Sequence, residues 1–270
     1  MARALWSGSI NFGLVNIPIK VVTAVKDKDI RFNQLHAKDG ARIRYKKVCA
    51  KDGEEVPSDE IIKGYEIVAG QYVTLTDEEL EAADPKRTRT VDIEDFVDQV
   101  DIDPMFYDKP YFLIPDKNAH KAYKLLLEAL VESDKVGIAR MVMHDKEHLV
   151  AIRAKEGALV METMYFHDEI VTVASLKEDL QGDEGRVDKR QVDLAQQLIE
   201  SLSAEFEPNK YKDNYRERVQ SIIETKAAGK KIVAEPTATP AGRTADLLLA
   251  LEASLAKAKT KTGKSTKKGK

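Results

Sequence analysis

Residues 136–166 read VGIARMVMHDKEHLVAIRAKEGALVMETMYF, and this stretch gives the strongest indication of the fold. Its three apolar runs, at 136–143, 149–154 and 159–166, are separated by two short polar segments. Apolar runs bounded by polar or glycine-containing turns are typical of consecutive antiparallel strands. The stretch therefore predicts a three-stranded meander.

Further strands are predicted towards the N-terminus. Residues 4–14 alternate apolar and polar side chains with a period of two, which indicates a strand with one buried face. The runs at 19–25, 42–48 and 65–75 are also rich in β-branched or aromatic residues. We therefore expect a β-rich region that extends from the N-terminus to the meander.

Helical periodicity appears on both sides of the meander. Apolar stripes with helical spacing occur at 118–132, 189–206 and 213–228, and Thr76 with Glu79 has the spacing of a capping box at the start of another helix. The sequence therefore predicts a mixed α and β protein. Its expected parts are a β-rich core at 1–185, a helical arm at 186–229, a linker with a short helix at 230–256 and a lysine-rich disordered tail at 257–270.

The composition excludes several classes of protein. Hydrophobic residues make up 43% of the 270 residues, which is enough for a folded core. The single cysteine, Cys49, excludes a disulfide framework and a cysteine-based zinc site, and it suits a reducing cytoplasm. No run of about 18 apolar residues is present, and the N-terminus lacks the pattern of a signal peptide. We therefore expect a cytoplasmic protein that has no membrane partner.

Charge is segregated along the chain although the formal net charge is only −3. Residues 1–50 carry 10 basic and 3 acidic groups, whereas residues 51–108 carry 5 basic and 18 acidic groups. Residues 226–270 again carry 11 basic and 3 acidic groups. This pattern argues against a protein that is basic all over, but it is compatible with a localised basic surface that binds a polyanion.

Several apparent catalytic or metal motifs are better explained as surface features. Residues 144–148 match the H-x-x-E-H zinc motif, but that motif needs a helix, and here it occupies a predicted turn between strands. His167 and Asp168 are adjacent at a strand end and would point to opposite faces. A glycine-rich phosphate loop is absent from the sequence. We therefore expect no enzymatic activity, catalytic residue, metal or cofactor.

One group of cations lies on the predicted strand at 42–48. Alternation places Arg42, Arg44 and Lys46 on one face of this strand, with Tyr45 and Lys47 on the other. A one-sided row of cations is unfavourable unless an anion neutralises it, and a phosphate backbone would do so. The alternative is an edge strand whose charges prevent pairing with other chains.

A second group of cations lies in the predicted meander. If the first hairpin closes between His144 and Leu149, Arg140 lies opposite Arg153. Like charges directly opposite each other destabilise a sheet, so an anionic ligand shared by the two arginines would explain the pair. Neighbouring acidic residues would explain it as well. Lys146, in the turn between these strands, is grouped with the two arginines as a candidate anion-binding residue.

The C-terminal segment contains a leucine stripe followed by a basic tail. The stripe would let a short helix pack back on the core or dock on a partner. The tail cannot fold alone and would bind polyanions weakly, unless it serves only solubility. The stripe consists of Leu247, Leu248, Leu251 and Leu255, and the tail contains Lys257, Lys259, Lys261, Lys264, Lys267, Lys268 and Lys270.

Five groups of motifs follow one another along the chain. They are WSGSINFGLVNIP at 6–18, RYKKVC at 44–49 followed by Asp52 and Gly53, KGYE at 63–66, DKPYFL at 108–113 followed by PDK at 115–117, and EHLVAIR at 147–153. These motifs, in this order, resemble those of bacterial Ku proteins. The similarity extends from about residue 2 to residue 255.

The resemblance implies a β-barrel core, an α-helical arm and a small C-terminal extension, assembled as a homodimeric ring. In this family the ring slides onto double-stranded DNA ends, and the C-terminal region recruits ligase D for end joining. Residues 229–231 and the leucine-rich helix match that region. Contacts to phosphate and sugar on an inner wall would give binding without sequence readout, and we expect such a protein to associate with the nucleoid.

The candidate DNA-binding residues are the cations at 42–47, Arg140, Lys146, Arg153 and the lysines of the tail, and the candidate partner-binding residues are the leucines of the stripe. Two other functions stay open at this point. Some Ku proteins are linked to lyase activity at abasic sites, in which a lysine amine forms a Schiff base. The protein would otherwise be a structural interaction protein with an incidental basic tail.

Overall fold

The computed structural model describes residues 3–83, 89–143, 146–181, 188–229 and 249–256. The chain divides into two compact units, Met1–Ser175 and Leu176–Lys270. The first contains the strands and two of the helices, and the second contains helices alone within its described residues. In the part of the chain that is described, no helix is both long and apolar enough to cross a lipid bilayer.

Seven strands of the described residues form a closed barrel in the first unit. Their order around the barrel is β1, β2, β6, β9, β8, β7, β5, with antiparallel pairs except for the parallel pair β1 and β5. The barrel strands are β1 (Trp6–Phe12), β2 (Val15–Thr23), β5 (Thr90–Asp98), β6 (Tyr107–Pro115), β7 (Lys135–Met143), β8 (Lys146–Lys155) and β9 (Ala158–Met164). A separate hairpin consists of β3 (Lys63–Val68) and β4 (Gln71–Leu75).

Strands β7, β8 and β9 form the predicted meander, but the predicted register of its first hairpin is wrong. Arg140 pairs with Leu149, and Arg153 pairs with Val160 on the following strand. Strand β7 continues to Met143 and β8 begins at Lys146, so two residues connect them instead of the longer loop expected. The shorter connection shifts the pairing and removes the expected contact between the arginines.

The barrel interior is filled by apolar side chains and closed against helix α2 (His120–Ser133). The Tyr123 hydroxyl donates to the carbonyl oxygen of Leu113 at 2.8 Å and accepts from the backbone N–H of Leu159 at 2.7 Å. Leu113 and Leu159 are partners across β6 and β9, so this hydroxyl ties the helix to two barrel strands. Leu126 and Leu130 of α2 are also buried in the core, as the apolar stripe predicted.

Trp6 and Gly8 close the seam between β1 and β5. Only three residue pairs join these parallel strands within the described chain. Near this seam, the Trp6 indole donates its Nε1–H to the carbonyl oxygen of Val142 on β7, at 3.0 Å. A Cβ atom at Gly8 would lie 2.2 Å from the carbonyl oxygen of Arg89 and 2.2 Å from the Trp6 ring. Glycine is therefore required here by close packing.

A long excursion leaves the barrel after β2 and returns at β5. It contains residues 24–62, the β3–β4 hairpin and helix α1 (Asp77–Ala83). The predicted capping box is confirmed, because the Thr76 backbone N–H donates to the Glu79 carboxylate at 2.9 Å and the Glu79 N–H donates to the Thr76 hydroxyl at 3.2 Å. The run predicted at 65–75 is split into two strands by a turn at Gly70, whose φ is +81°.

The prediction of a strand at 42–48 is wrong. Its only ladder contacts in the described residues are two isolated antiparallel bridges, Leu35 with Arg42 and Val48 with Glu55. The segment is exposed throughout, with no neighbouring sheet on which an alternating pattern could bury one face. The alternation of charged and apolar residues was therefore not a sign of a half-buried strand.

The second unit contains helices α3 (Lys177–Leu180), α4 (Lys189–Leu202) and α5 (Asn214–Ala227) and a helix at residues 249–256. Asp188 caps α4, Asp213 caps α5, and Gly229 follows α5 with a φ of +72°. Helix α4 ends four residues before its predicted end, because Ser203 is extended. Glu252 forms an ion pair with Arg190 at 3.2 Å, so the helix at 249–256 contacts α4.

Candidate nucleic-acid interface

The basic segment 42–47 is held between two small backbone ladders in the excursion. On one side the backbone N–H of Ile43 donates to the carbonyl oxygen of Gln34, and on the other the N–H of Val56 donates to the carbonyl oxygen of Lys47. The isolated bridges lie just outside these two bonds. The position of the segment is therefore fixed although it lies outside the sheets.

The cations of segment 42–47 are only partly neutralised. Arg42 donates to the side-chain oxygen of Asn33 at 2.6 Å, and Lys46 forms an ion pair with Glu55. Arg44 and Lys47 have no carboxylate partner among the residues that the structure describes, and both are exposed. The segment therefore presents four cations against one carboxylate, which is suitable for binding phosphate.

Arg140 has carboxylate neighbours on both sides instead of a second arginine. Its guanidinium lies 3.1 Å from Glu94 on β5 and 3.3 Å from Glu147 on β8. All three side chains are partly exposed, so the interaction is weakened by water. The alternative explanation from the sequence, neighbouring acidic residues, is the one that the structure supports here.

Arg153 is held by a bidentate ion pair with Glu162. The two side chains are only 20% and 14% exposed, which makes this the most buried ion pair recorded among the described residues. Hydrogen bonds to Glu162 raise the pKa of Arg153 above its ordinary value. Burial raises the pKa of the nearby Tyr107 hydroxyl, and the negative charge of Glu162 raises it further. The charges of Arg153 and Glu162 in this part of the barrel wall therefore neutralise each other.

Lys146 and the H-x-x-E-H residues occupy the start of β8. Lys146 is exposed and lies 3.8 Å from Glu169, while the His148 imidazole lies 3.3 Å from the carbonyl oxygen of Met143. His144 and Asp145 lie outside the described residues. Since residues 146–148 are in a strand, the helical geometry of the zinc motif does not occur there. No group of three potential metal ligands is found in the described part of the chain.

Two other sequence features are surface elements. His167 and Asp168 belong to a short 3₁₀ turn, His167–Glu169, that follows the last barrel strand. Cys49 is partly buried in the loop closed by the bridge between Val48 and Glu55. The backbone N–H of Glu54 and the thiol of Cys49 both donate to Asp52, which lowers the pKa of that carboxyl. These contacts order a tight loop and assemble no catalytic group.

The predicted C-terminal sites are only partly described. Leu251 is half-buried and Leu255 is 8% exposed, so part of the leucine stripe is covered within this chain. Leu247 and Leu248 lie outside the described residues, as do Lys257, Lys259, Lys261, Lys264, Lys267, Lys268 and Lys270.

The sequence analysis did not identify which acidic residues pair with the two arginines, and it missed the role of Tyr45. Glu162 is the only charged residue of β9, and this lone acid near a lone arginine was a usable signal for the Arg153 pair. The Tyr45 hydroxyl donates to the side-chain oxygen of Gln34, and its ring is 82% exposed beside Lys46 and Lys47. No sequence pattern indicated the contact between Tyr45 and Gln34.

The comparisons with known proteins agree with the barrel. Residues 11–194 match the family model described as the Ku70/Ku80 beta-barrel domain. A protein of Anaeromyxobacter sp. (strain K), named non-homologous end joining protein Ku, is 49% identical over 261 residues, which cover 96% of this chain and 87% of that protein.

Relatives of lower identity occur in other organisms. Proteins with the same name from Bacillus subtilis (strain 168) and Archaeoglobus fulgidus are both 41% identical, over 94% and 86% of this chain and 81% and 90% of their own lengths. The family model covers most of the seven-stranded barrel, and the relatives are similar to this chain along almost its whole length. The protein therefore belongs to the Ku family.

Proposed function

We propose that this protein binds double-stranded DNA ends, without sequence preference, in the non-homologous end joining of broken DNA. Its relatives are named non-homologous end joining protein Ku, and they match most of the length of this chain. A protein with this role works at the chromosome, which places it at the nucleoid in this proposal. DNA repair requires binding that ignores base sequence, and contacts to phosphates provide it.

One observation decides which basic residues we assign to DNA binding. Segment 42–47 presents Arg44 and Lys47 to solvent without carboxylate partners in the described chain, whereas Arg140 and Arg153 are paired with glutamates. Cations that are already neutralised gain little from phosphate, because each contact must first break an existing pair. We therefore assign the main phosphate contacts to segment 42–47, and a structural role to Arg153.

The excursion supports assembly as a homodimeric ring. Between residues 24 and 80 the described chain has no buried residue, yet it exposes many large apolar side chains. Ile62 and Tyr65 are each 69% exposed, and Ile67 is 63% exposed. Apolar surface of this kind marks an interface in a folded protein. A second copy that covers it would enclose DNA between the two excursions and explain selection for free ends.

The C-terminal leucine stripe supports recruitment of ligase D. Leu249 is 58% exposed, but Leu255 is buried and Glu252 is paired with Arg190 on α4. Docking through the whole stripe would therefore need release of this helix from α4. The basic tail beyond residue 256 would add salt-sensitive affinity for DNA.

Neutralising variants test the assignment of the phosphate contacts. We expect Arg44→Gln with Lys47→Gln to weaken binding to linear duplex, and to reduce the slope of log affinity against log salt by about 2, which is close to 0.9 for each lost phosphate contact. Arg140→Gln is the matched control, because it removes a cation that already has two carboxylate neighbours. Equal slopes for the double variant and the unmodified protein would refute the assignment.

A further inference from the structure

An open cleft lies beside segment 42–47. It has a volume of about 660 Å³, and its walls include Tyr45, Lys46, Lys47, Glu55, Val56 and Pro57. The two ladders described above bring these walls together, because Val56 is hydrogen-bonded to Lys47 and Val48 is bridged to Glu55. The cleft is therefore a feature of the backbone fold of the excursion.

Tyr45 presents an aromatic face that is held in place. Its side chain is 82% exposed, the highest value among the nine tyrosines of the chain. The hydroxyl donates to the side-chain oxygen of Gln34, and the backbone N–H of Ile43, two residues before Tyr45, donates to the backbone carbonyl oxygen of the same Gln34. The ring is therefore held at its hydroxyl end, and the nearby backbone is held by the same residue. The ring can therefore act as a stacking platform without a large loss of side-chain entropy.

The charge of the cleft favours an anion next to this platform. Lys46 is paired with Glu55, the one carboxylate of the cleft walls, which leaves Lys47 as its unneutralised cation. Val56 and Pro57 add an apolar wall. An aromatic face, an apolar wall and a free ammonium group together match one nucleotide, whose base stacks while its phosphate pairs with the cation.

We propose that this cleft binds an unpaired nucleotide at a DNA end, with the base stacked on Tyr45 and a phosphate at Lys47. The proposal rests on the proposed function and adds a ligand that duplex binding does not need. In an intact duplex both faces of an internal base are covered by its neighbours, so Tyr45 has no base to stack on. A single-stranded overhang exposes those faces and brings phosphates with them.

The test compares three linear duplexes of equal paired length by fluorescence anisotropy at one salt concentration. One is blunt, one carries an overhang of five thymidines, and one carries an overhang of five abasic residues with the same phosphates. We expect the full-length protein to bind the thymidine overhang more tightly than the abasic overhang. Tyr45→Ala should remove this preference by weakening thymidine binding about 5- to 150-fold, the range that corresponds to the loss of one base-stacking contact.

Two variants serve as controls. Tyr45→Phe keeps the ring and should keep the preference, and Tyr215→Ala removes a tyrosine that is 75% exposed on α5 and should leave it unchanged. Equal affinity of the unmodified protein for the thymidine and abasic overhangs would overturn the proposal. So would an equal loss for Tyr45→Ala and Tyr215→Ala.

The blunt duplex separates this inference from the proposed function. Failure to bind any of the three duplexes would refute DNA-end binding itself, whereas tight blunt binding without a base preference would refute only the nucleotide cleft. A second measurement avoids dependence on the folding of any variant. 2-Aminopurine placed in the overhang should change its fluorescence on binding the unmodified protein, and unchanged fluorescence would contradict stacking on Tyr45.

Discussion

Arg153 on β8 and Glu162 on β9 are joined by two hydrogen bonds, from Nε at 2.9 Å and from Nη2 at 2.6 Å, one to each carboxylate oxygen. The residues are diagonal neighbours across the two strands, since Arg153 pairs with Val160 and Ala151 pairs with Glu162. Both side chains are largely shielded from water. The pair therefore contributes to the barrel wall, and a lost partner would leave a charge that water cannot reach well.

Arg153→Met should destabilise the fold, since it leaves Glu162 without its partner. Removal of one member of a buried pair costs about 3 to 5 kcal/mol, and the residual exposure here places the expected loss near about 3 kcal/mol. Urea unfolding followed by circular dichroism measures it. Arg153→Met with Glu162→Met should recover much of the loss, because no charge is then stranded. A double variant less stable than the single one would contradict this account.

Arg140→Met should behave differently, because its two carboxylate neighbours are well exposed. Exposed ion pairs contribute about 0 to 1 kcal/mol, so the free energy of unfolding should fall by less than about 1 kcal/mol. The same unfolding experiment gives the comparison with Arg153→Met. A loss as large as that of Arg153→Met would mean that the outer face of β7 is covered in solution.

Gly8→Ala should destabilise the seam of the barrel. The new methyl group would lie 2.2 Å from the backbone carbonyl oxygen of Arg89, and backbone atoms cannot move away as a flexible side chain can. Overpacking of this kind costs about 1 to 3 kcal/mol or more. Gly64→Ala is a suitable control, since a Cβ atom there would meet only ordinary contacts at 3.5 Å or more. Thermal unfolding of the two variants should differ clearly, and equal midpoints would be incompatible with this reading of the seam.

Light scattering tests the proposed dimer. The exposed apolar residues of the excursion predict that the protein is a dimer at micromolar concentration, with well over about 2,000 Å² buried between the copies. Ile62→Asp with Ile67→Asp places two charges in that surface and should shift the mass towards the monomer. Val100→Asp, at an 89% exposed position outside the excursion, is the control. A monomeric unmodified protein would rule out the ring.

Truncation separates the two expected roles of the C-terminal segment. A chain ending at Ala256 loses the basic tail, so DNA affinity should fall at low salt while ligase D stimulation is largely kept. A chain ending at Gly229 also loses the leucine stripe and should lose the stimulation while keeping end binding. Stimulation that survives Leu248→Asp with Leu251→Asp would show that the stripe is not the docking element.

The sequence predicted the meander and the helices but not the contacts that decide the charge of the surface. The apolar runs were sufficient to predict β7, β8 and β9, because buried strands carry a local pattern of apolar residues. The register depends on the length of the connection between β7 and β8, which is two residues. Because a longer connection was expected, Arg140 was predicted to lie opposite Arg153, whereas it pairs with Leu149. The exposed segment 42–48 has an alternating pattern with no sheet to join, which single-sequence periodicity cannot reveal. Pairing with Glu94 and Glu162 depends on strand order, and the sequence does not contain that information directly.

Competition between linear and covalently closed circular duplexes tests the central claim most directly. The protein is bound to a labelled linear duplex, and unlabelled DNA of the same sequence and length is added in either form. A ring that loads at free ends predicts efficient competition by the linear form and weak competition by the closed circle, at a salt concentration that suppresses non-specific binding. Equal competition by the two forms would contradict the account, because ordinary surface binding to phosphates does not require an end.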